Sequence, residues 1–387
     1  MSDFQKRIYA SKATLAADVV IEANSIVRAD EVILGKAVRI GPNVDITCDR
    51  LELQDGCSIG PNTIILSPEV MLGPGCALAG TLHVELNQHL RMGRSSAIAE
   101  RVRIVGQGLQ SGEFLWVESD VLIGGGGARG PHAFLTVGDR TSIFARSYVN
   151  LSEEVRLGSF TALSYGVVVL THGAWQPALM GYATHFAPVS IGSYVVVYVN
   201  SIVMPGVSIG DYATVGAGSL VTHDVPSHCL AVGSPARVVK GPEDYPRPLD
   251  ESQKDTLIRR VLADYANTLA SKGVQIVDEA LASRQRMVVR FQGRETAIAY
   301  IPPGSDAATC VQADITLALG PLPPQVTSQC HLDLADESMT GQSTALAEDL
   351  RDYLRRRIIR VLTDKPFRAL PLANLQRLNL RRKEQAR

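Results

Sequence analysis

The sequence predicts a mainly β protein: a three-sided parallel coil of about ten turns over residues 21–241, followed by a smaller α+β domain over 242–387. Three observations predict it. Aliphatic residues recur every 19 or 20 residues in aligned columns. From Ile191 the spacing tightens to six. The coil pattern then stops at Lys240-Gly241-Pro242, and helix-like and strand-like runs take over.

Residues 1–20 read as a lead segment. They lack the charged-then-apolar pattern of a signal peptide. The first column starts at Ile21 and continues Ile40, Ile59, Leu78, Ile98, Val117, Val137, Leu157. The second, six residues later, reads Val27, Ile46, Ile65, Val84, Ile104, Ile123, Ile143, Leu163. A third is visible at Leu34, Leu53, Leu72 and Met92, blurs between 105 and 135, and returns at Val149 and Val169. Hexads then begin at Ile191, Val197, Val203, Ile209, Val215 and Val221. Each column is one inward-facing stack. One coil cannot bury its apolar face alone, whereas stacked coils share a continuous core and pair their backbones. The glycine-rich run Gly124–Gly130 marks a loop thrown out of the coil. It lacks the GK[ST] ending of a phosphate loop. Cys57 and Cys76, 19 residues apart, read as small residues stacked in the core.

Beyond the linker Lys240–Pro248, Leu257, Ile258, Val261, Leu262, Tyr265 and Leu269 have helical spacing. Strand-like runs follow at Met287–Phe291, Thr296–Ile301, Thr309–Leu319 and Gln329–Leu334. Leu346, Leu350, Tyr353, Leu354, Ile358 and Val361 suggest a second helix. From Thr344 to Arg387 the chain carries 12 Lys/Arg and 5 Asp/Glu, a net +7, which reads as a solvated helix face and tail.

Hydrophobic residues make up 45% of the chain, charged residues 20%, and the formal net charge is −1. That composition excludes a disordered chain, and the whole-chain charge points to neither a nucleic-acid nor a membrane partner. No apolar stretch is long enough to span a bilayer. A soluble, cytoplasmic protein is expected. The six cysteines show no metal-binding spacing, and His172, His185 and His223 lack the convergent spacing of a three-histidine zinc site, so no metal is expected.

The stretch Val203-Met204-Pro205-Gly206-Val207-Ser208-Ile209-Gly210, the run Val215-Gly216-Ala217-Gly218-Ser219-Leu220-Val221-Thr222, Asp224-Val225-Pro226, and the ending Ala231–Lys240 together resemble the hexapeptide-repeat acyltransferases. The likeness is to their sugar and xenobiotic O-acetyltransferase branch. It implies a left-handed parallel β-helix, a homotrimer with sites between subunits, acetyl-CoA or another acyl-CoA as co-substrate, and a small-molecule or polysaccharide acceptor. Acyl transfer needs a base for the acceptor proton, and histidine suits that task near neutral pH. His172 is the candidate, because it opens the longest interruption of the later repeat. Asn150, one coil earlier, matches an asparagine that holds the acceptor. Trp175, Tyr182 and His185 in the loop 173–188 are further acceptor-binding candidates, with His185 a second possible base. For the coenzyme, Ala217, Gly218 and Ser219 match positions lining the pantetheine. Thr222 and His223 lie along the same groove, and Arg237 and Lys240 match basic residues that meet phosphates. Tyr198 departs from the pattern: by the resemblance it stands where glycine leaves room near the thioester, which implies a narrowed site, a turned donor or lost activity. The last keeps a non-catalytic scaffold open as an alternative, and N-acylation of an amino sugar is a close variant of the leading reading.

Overall fold

In the computed structural model, the described residues are 7–173, 176–280, 285–303, 312–373 and 375. The chain divides into two compact units, Met1–Arg247 and Pro248–Arg387.

The first unit is a left-handed parallel β-helix. Among the described residues, side one is a twelve-stranded sheet whose strands pair in parallel until the antiparallel Ala236–Lys240 closes it. Sides two and three merge into a seventeen-stranded sheet. They merge because strands such as Ile26–Leu34, His83–Met92 and Arg103–Ser111 run across the corner between them without a break. The other two corners are tight turns with one residue at positive φ per coil. Asn24, Asn43 and Asn62 hold this position at one of them, and Phe160, Tyr194 and Tyr212 at the other. The second set stacks its rings about one coil apart, at 4.8 Å and 4.7 Å between centroids.

The coil starts earlier than Ile21. Ile8–Leu15 pairs in parallel with Ile26–Leu34, Ile8 against Val27 and Leu15 against Leu34. Few of its residues turn inward, so it carries no column signal.

The columns also need correcting. On side one, Val117 pairs with Ile143, which pairs with Leu163. On side two, Ile123 pairs with Val149, which pairs with Val169. Val137 and Leu157 belong to side three, with Ser111 and Ile191. The excursion after Gly124 lengthens one coil by about a hexad. A constant step therefore lands one side too early, on an equally aliphatic residue. Cys57 and Cys76 are free, fully buried thiols, donating to the carbonyls of Gly73 and Gly93 at 3.1 Å and 3.0 Å.

The second unit is α+β. α1 (Glu251–Ser271) starts with a capping box between Asp250 and Gln253 and buries Ile258, Val261, Leu262, Tyr265 and Leu269. A six-stranded mixed sheet follows in chain order, and its first strand, Gln275–Ala280, and its last, Ser338–Gly341, carry no clear sequence signal. Part of the run Thr309–Leu319, and Cys310, lie outside the described residues. α2 (Ala345–Arg355) stops short of Val361, because the chain turns out of the helix at Ile358, whose φ is +61°. The basic segment is not wholly a solvated face: Arg351 is fully buried, bonded to Glu348 and to the carbonyls of Lys365 and Pro366. Lys272 and Asp349 form a buried ion pair, and Tyr265 donates to the same carboxylate. Among the described residues no helix is long and apolar enough to cross a membrane.

Candidate active site

The corner between sides two and three gathers the chain's excursions. Residues 124–133, 151–154 and 170–188 all leave the coil there, between paired strands of successive turns. In the N-terminal coils the strands run through this corner unbroken, as Ile26–Leu34 does, and the later coils open it for these insertions.

Asn150 sits at the centre, fully buried. Its Nδ2 donates to the carbonyls of Gly124 and Gly126 at 3.2 Å and 2.9 Å and lies 3.1 Å from the Tyr148 hydroxyl. Its Oδ1 accepts from the Thr171 backbone N–H at 3.3 Å and the Thr171 hydroxyl at 2.8 Å. A carbonyl can only accept and a backbone N–H can only donate, so these partners fix which end of the amide is which.

His172 Nδ1 lies 2.8 Å from Asn150 Oδ1 and 2.8 Å from Ser152 Oγ. The amide oxygen only accepts. The Ser152 hydroxyl spends its one hydrogen on the Gly126 carbonyl at 2.6 Å and turns a lone pair to the ring. Both contacts therefore place a proton on Nδ1, so that in the neutral ring the lone pair is on Nε2. Phe186 stacks on the half-buried imidazole, centroids 5.6 Å apart at 16°. A Cβ built on Gly126 would lie 3.2 Å from His172 Cε1 and 3.4 Å from Nε2, so the missing side chain keeps the reactive edge open.

The sequence reading placed Asn150 against the acceptor. In the structure its amide is enclosed by protein and its oxygen serves His172. Ser152 and Tyr148 went unnoticed in the sequence. The glycine run and the short excursion after Asn150 were visible, but their meeting around His172 was not. Tyr182 and His185 are exposed, and His185 sits on the strand His185–Phe186 that pairs with His172–Gly173. Trp175 lies outside the described residues.

The coenzyme candidates divide between places. Tyr198, Ala217, Gly218 and Ser219 occupy the corner between sides one and two, not the His172 corner. Tyr198, Ala217 and Gly218 are exposed, and a Cβ at Gly218 would meet nothing within 4 Å, so this strip is open. Ser219 is buried, and its hydroxyl accepts from the Gly233 N–H at 3.1 Å, which braces the turn. Thr222 and His223 are on the His172 corner, two coils further on, with Thr222 Oγ1 2.9 Å from His223 Nδ1. Arg237 and Lys240 lie exposed on the closing strand, Arg237 donating to the Ala236 carbonyl at 2.9 Å.

The profile of the family described as bacterial transferase hexapeptide (six repeats) matches residues 188–223. A Bacillus subtilis (strain 168) protein named "Putative acetyltransferase YvoF" is 30% identical over 120 residues, covering 30% of this chain and 67% of its own. The galactoside O-acetyltransferase of Escherichia coli (strain K12) is 43% identical over 53 residues, 14% of this chain and 26% of that protein, so the likeness spans about a quarter of that relative. Among solved structures, a maltose O-acetyltransferase from Clostridium difficile 630 is 28% identical, with a TM-score of 0.29, over 33% of this chain and 65% of that one. The chain belongs to the hexapeptide-repeat transferase family, whose relatives here are named acetyltransferases.

Proposed function

We propose that the protein transfers an acyl group, acetyl or longer, from coenzyme A to a hydroxyl of a sugar or polysaccharide precursor, with His172 as general base. The observation that carries this is the pinned Nδ1–H and free Nε2 lone pair of His172 at an open corner. The acceptor O–H gives its proton to Nε2 as its oxygen attacks the thioester carbonyl. The C–S bond breaks, and the imidazolium returns the proton to the leaving thiolate. The net change is acceptor hydroxyl plus acyl thioester to acceptor ester plus coenzyme A thiol. Asn150 Oδ1 and Ser152 Oγ hold the ring and accept from it while it is charged, which makes Asn150 a positioning residue.

Ala217 and Gly218 would line the pantetheine through backbone, and Arg237 and Lys240 would meet the phosphates. In one chain this strip and His172 lie on different corners, which supports a site completed between subunits of a homotrimer. Tyr198 beside the strip would limit the acyl group. The cytoplasm, where acyl-CoA is available, is the expected location.

The test is incubation with acetyl-CoA and a panel of hydroxyl and amino sugars, following thiol release and the mass of the acceptor. Thiol release matched by one added acetyl on a hydroxyl supports the reading. Acylation confined to amines replaces it with N-transfer, and neither event on any acceptor removes it.

A further inference from the structure

The corner that holds His172 continues as a groove toward the N-terminal coils. Nearest the histidine is a cavity of about 450 Å³ lined by Gly125, Gly127, Ala128 and Gly130 together with Arg103 and Leu122. It shares Val105 and Arg129 with a second cavity of about 520 Å³. That one in turn shares Thr47 and Cys48 with a third of about 420 Å³ beside Tyr9. Strand pairing gives the length. His83, Arg103, Leu122, Tyr148 and Val168 stack in register, so Asn87 lies four coils before His172. At the spacing of paired strands that is about 19 Å.

One loop joins the two ends. Residues 124–133 meet the His172 network through Gly126 and reach back over the groove through Arg129. Gln107, 7% exposed, latches this loop, donating to the carbonyls of Arg129 and Gly130 at 3.3 Å and 3.0 Å. Its oxygen accepts from Asn87 Nδ2 at 2.9 Å, which holds the Asn87 amide on the groove wall.

The lining sets the ligand chemistry. Thr47 and Asn87 offer neutral donors and acceptors, and Asp49 a carboxylate acceptor, beside the aliphatic surfaces of Leu66 and Val105. A chain of pyranose rings, with apolar C–H faces and hydroxyl rims, matches such alternation. Nucleic acid does not fit, because Arg129 is paired with Glu85 at 2.8 Å and Arg28 with Asp45 at 2.7 Å. An acyl chain would want continuous apolar walls, which the polar groups interrupt.

We propose that this groove binds an extended oligosaccharide or polysaccharide acceptor, laying several sugar residues along the coils so that one hydroxyl reaches His172. The proposal rests on the acyltransfer reading above and adds the size and path of the acceptor. Asn87 and Thr47 are exposed strand residues on the wall. Asn87→Trp and Thr47→Trp each fill the groove far from His172.

The experiment is an array of immobilised glycans with one to six residues on several backbones, probed with wild type, N87W and T47W. Thermal melting confirms that each variant is folded, and acetyl transfer to the glycans is followed alongside. The expected result is wild-type binding that strengthens with glycan length on at least one backbone. Each variant should bind those longer glycans about tenfold more weakly, the effect of losing roughly one well-made hydrogen bond. Acetyl transfer to the shortest acceptor should fall less in each variant than transfer to the longer glycans. Binding that ignores length, absence of glycan binding, or folded variants that match wild type at every length overturns the groove assignment. If the wild type still acetylates a monosaccharide in those cases, only the groove assignment falls. If no glycan is acetylated at all, the sugar acyltransfer reading falls with it.

Discussion

Replacing Asn150 by alanine separates two roles for that residue. The side chain is fully buried, so it cannot touch an acceptor without the corner opening. Its removal deletes the 2.8 Å contact to His172 Nδ1. Most of its other partners keep a bond: Gly126 O retains Ser152 Oγ, Gly124 O retains the Leu151 N–H, and the Thr171 hydroxyl retains the Asn150 carbonyl. The Thr171 N–H loses the acceptor it had in Asn150 Oδ1, which costs about 1–3 kcal/mol of stability for one buried donor. The catalytic loss is a hydrogen bond to a ring that becomes charged in the transition state, about 1.5–3 kcal/mol. That corresponds to a kcat lower by about one to two powers of ten. The acceptor KM should stay within about twofold of wild type, since a positioning residue acts on the transition state rather than on substrate binding. Steady-state kinetics with varied acceptor, beside a melting curve, reads both. A raised KM with kcat intact would restore Asn150 to acceptor binding. A lower melting temperature with both constants intact would leave it only a structural part.

Gly126→Val should abolish most transfer with little loss of melting temperature, because its side chain would sit against Cε1 and Nε2 of His172. Near-wild-type turnover of G126V would show that the reacting edge faces elsewhere. Arg237→Ala should weaken coenzyme A binding by about ten- to a hundred-fold, the loss of one charge-assisted phosphate contact, with the coil intact. Titrating coenzyme A and its 3′-dephospho form checks it, and equal affinities of wild type and variant for both forms would remove Arg237 from the phosphate site. Light scattering should give three subunits. A monomer at micromolar concentration would rule out a site shared between subunits.

The coil was legible because its core repeats: an inward aliphatic must recur at each turn or the stack loses its seam. The register was not legible past Val117, since all three sides use the same residue types and an insertion shifts the frame silently. Ile143 and Leu163 were therefore assigned to the wrong side. His172 stood out because it opens the long interruption. Ser152 did not, since nothing marks one serine from another until the fold brings it to Nδ1. The setting of Asn150 was hidden for a related reason: sequence gives its place one coil before the histidine but not its burial or its contact with Nδ1. In the second unit α1 carried a full amphipathic signal, whereas the strand Ser338–Gly341 is too short and polar to show a period.

The most direct test is the turnover of His172→Ala beside wild type, with an acceptor identified by mass and with coenzyme A affinity measured on the same samples. The variant should retain coenzyme A binding, because His172 is not among the candidate coenzyme contacts, and lose about 10²–10⁴ in kcat. Turnover above about a tenth of wild type, with chemistry limiting the rate, would contradict proton abstraction by His172.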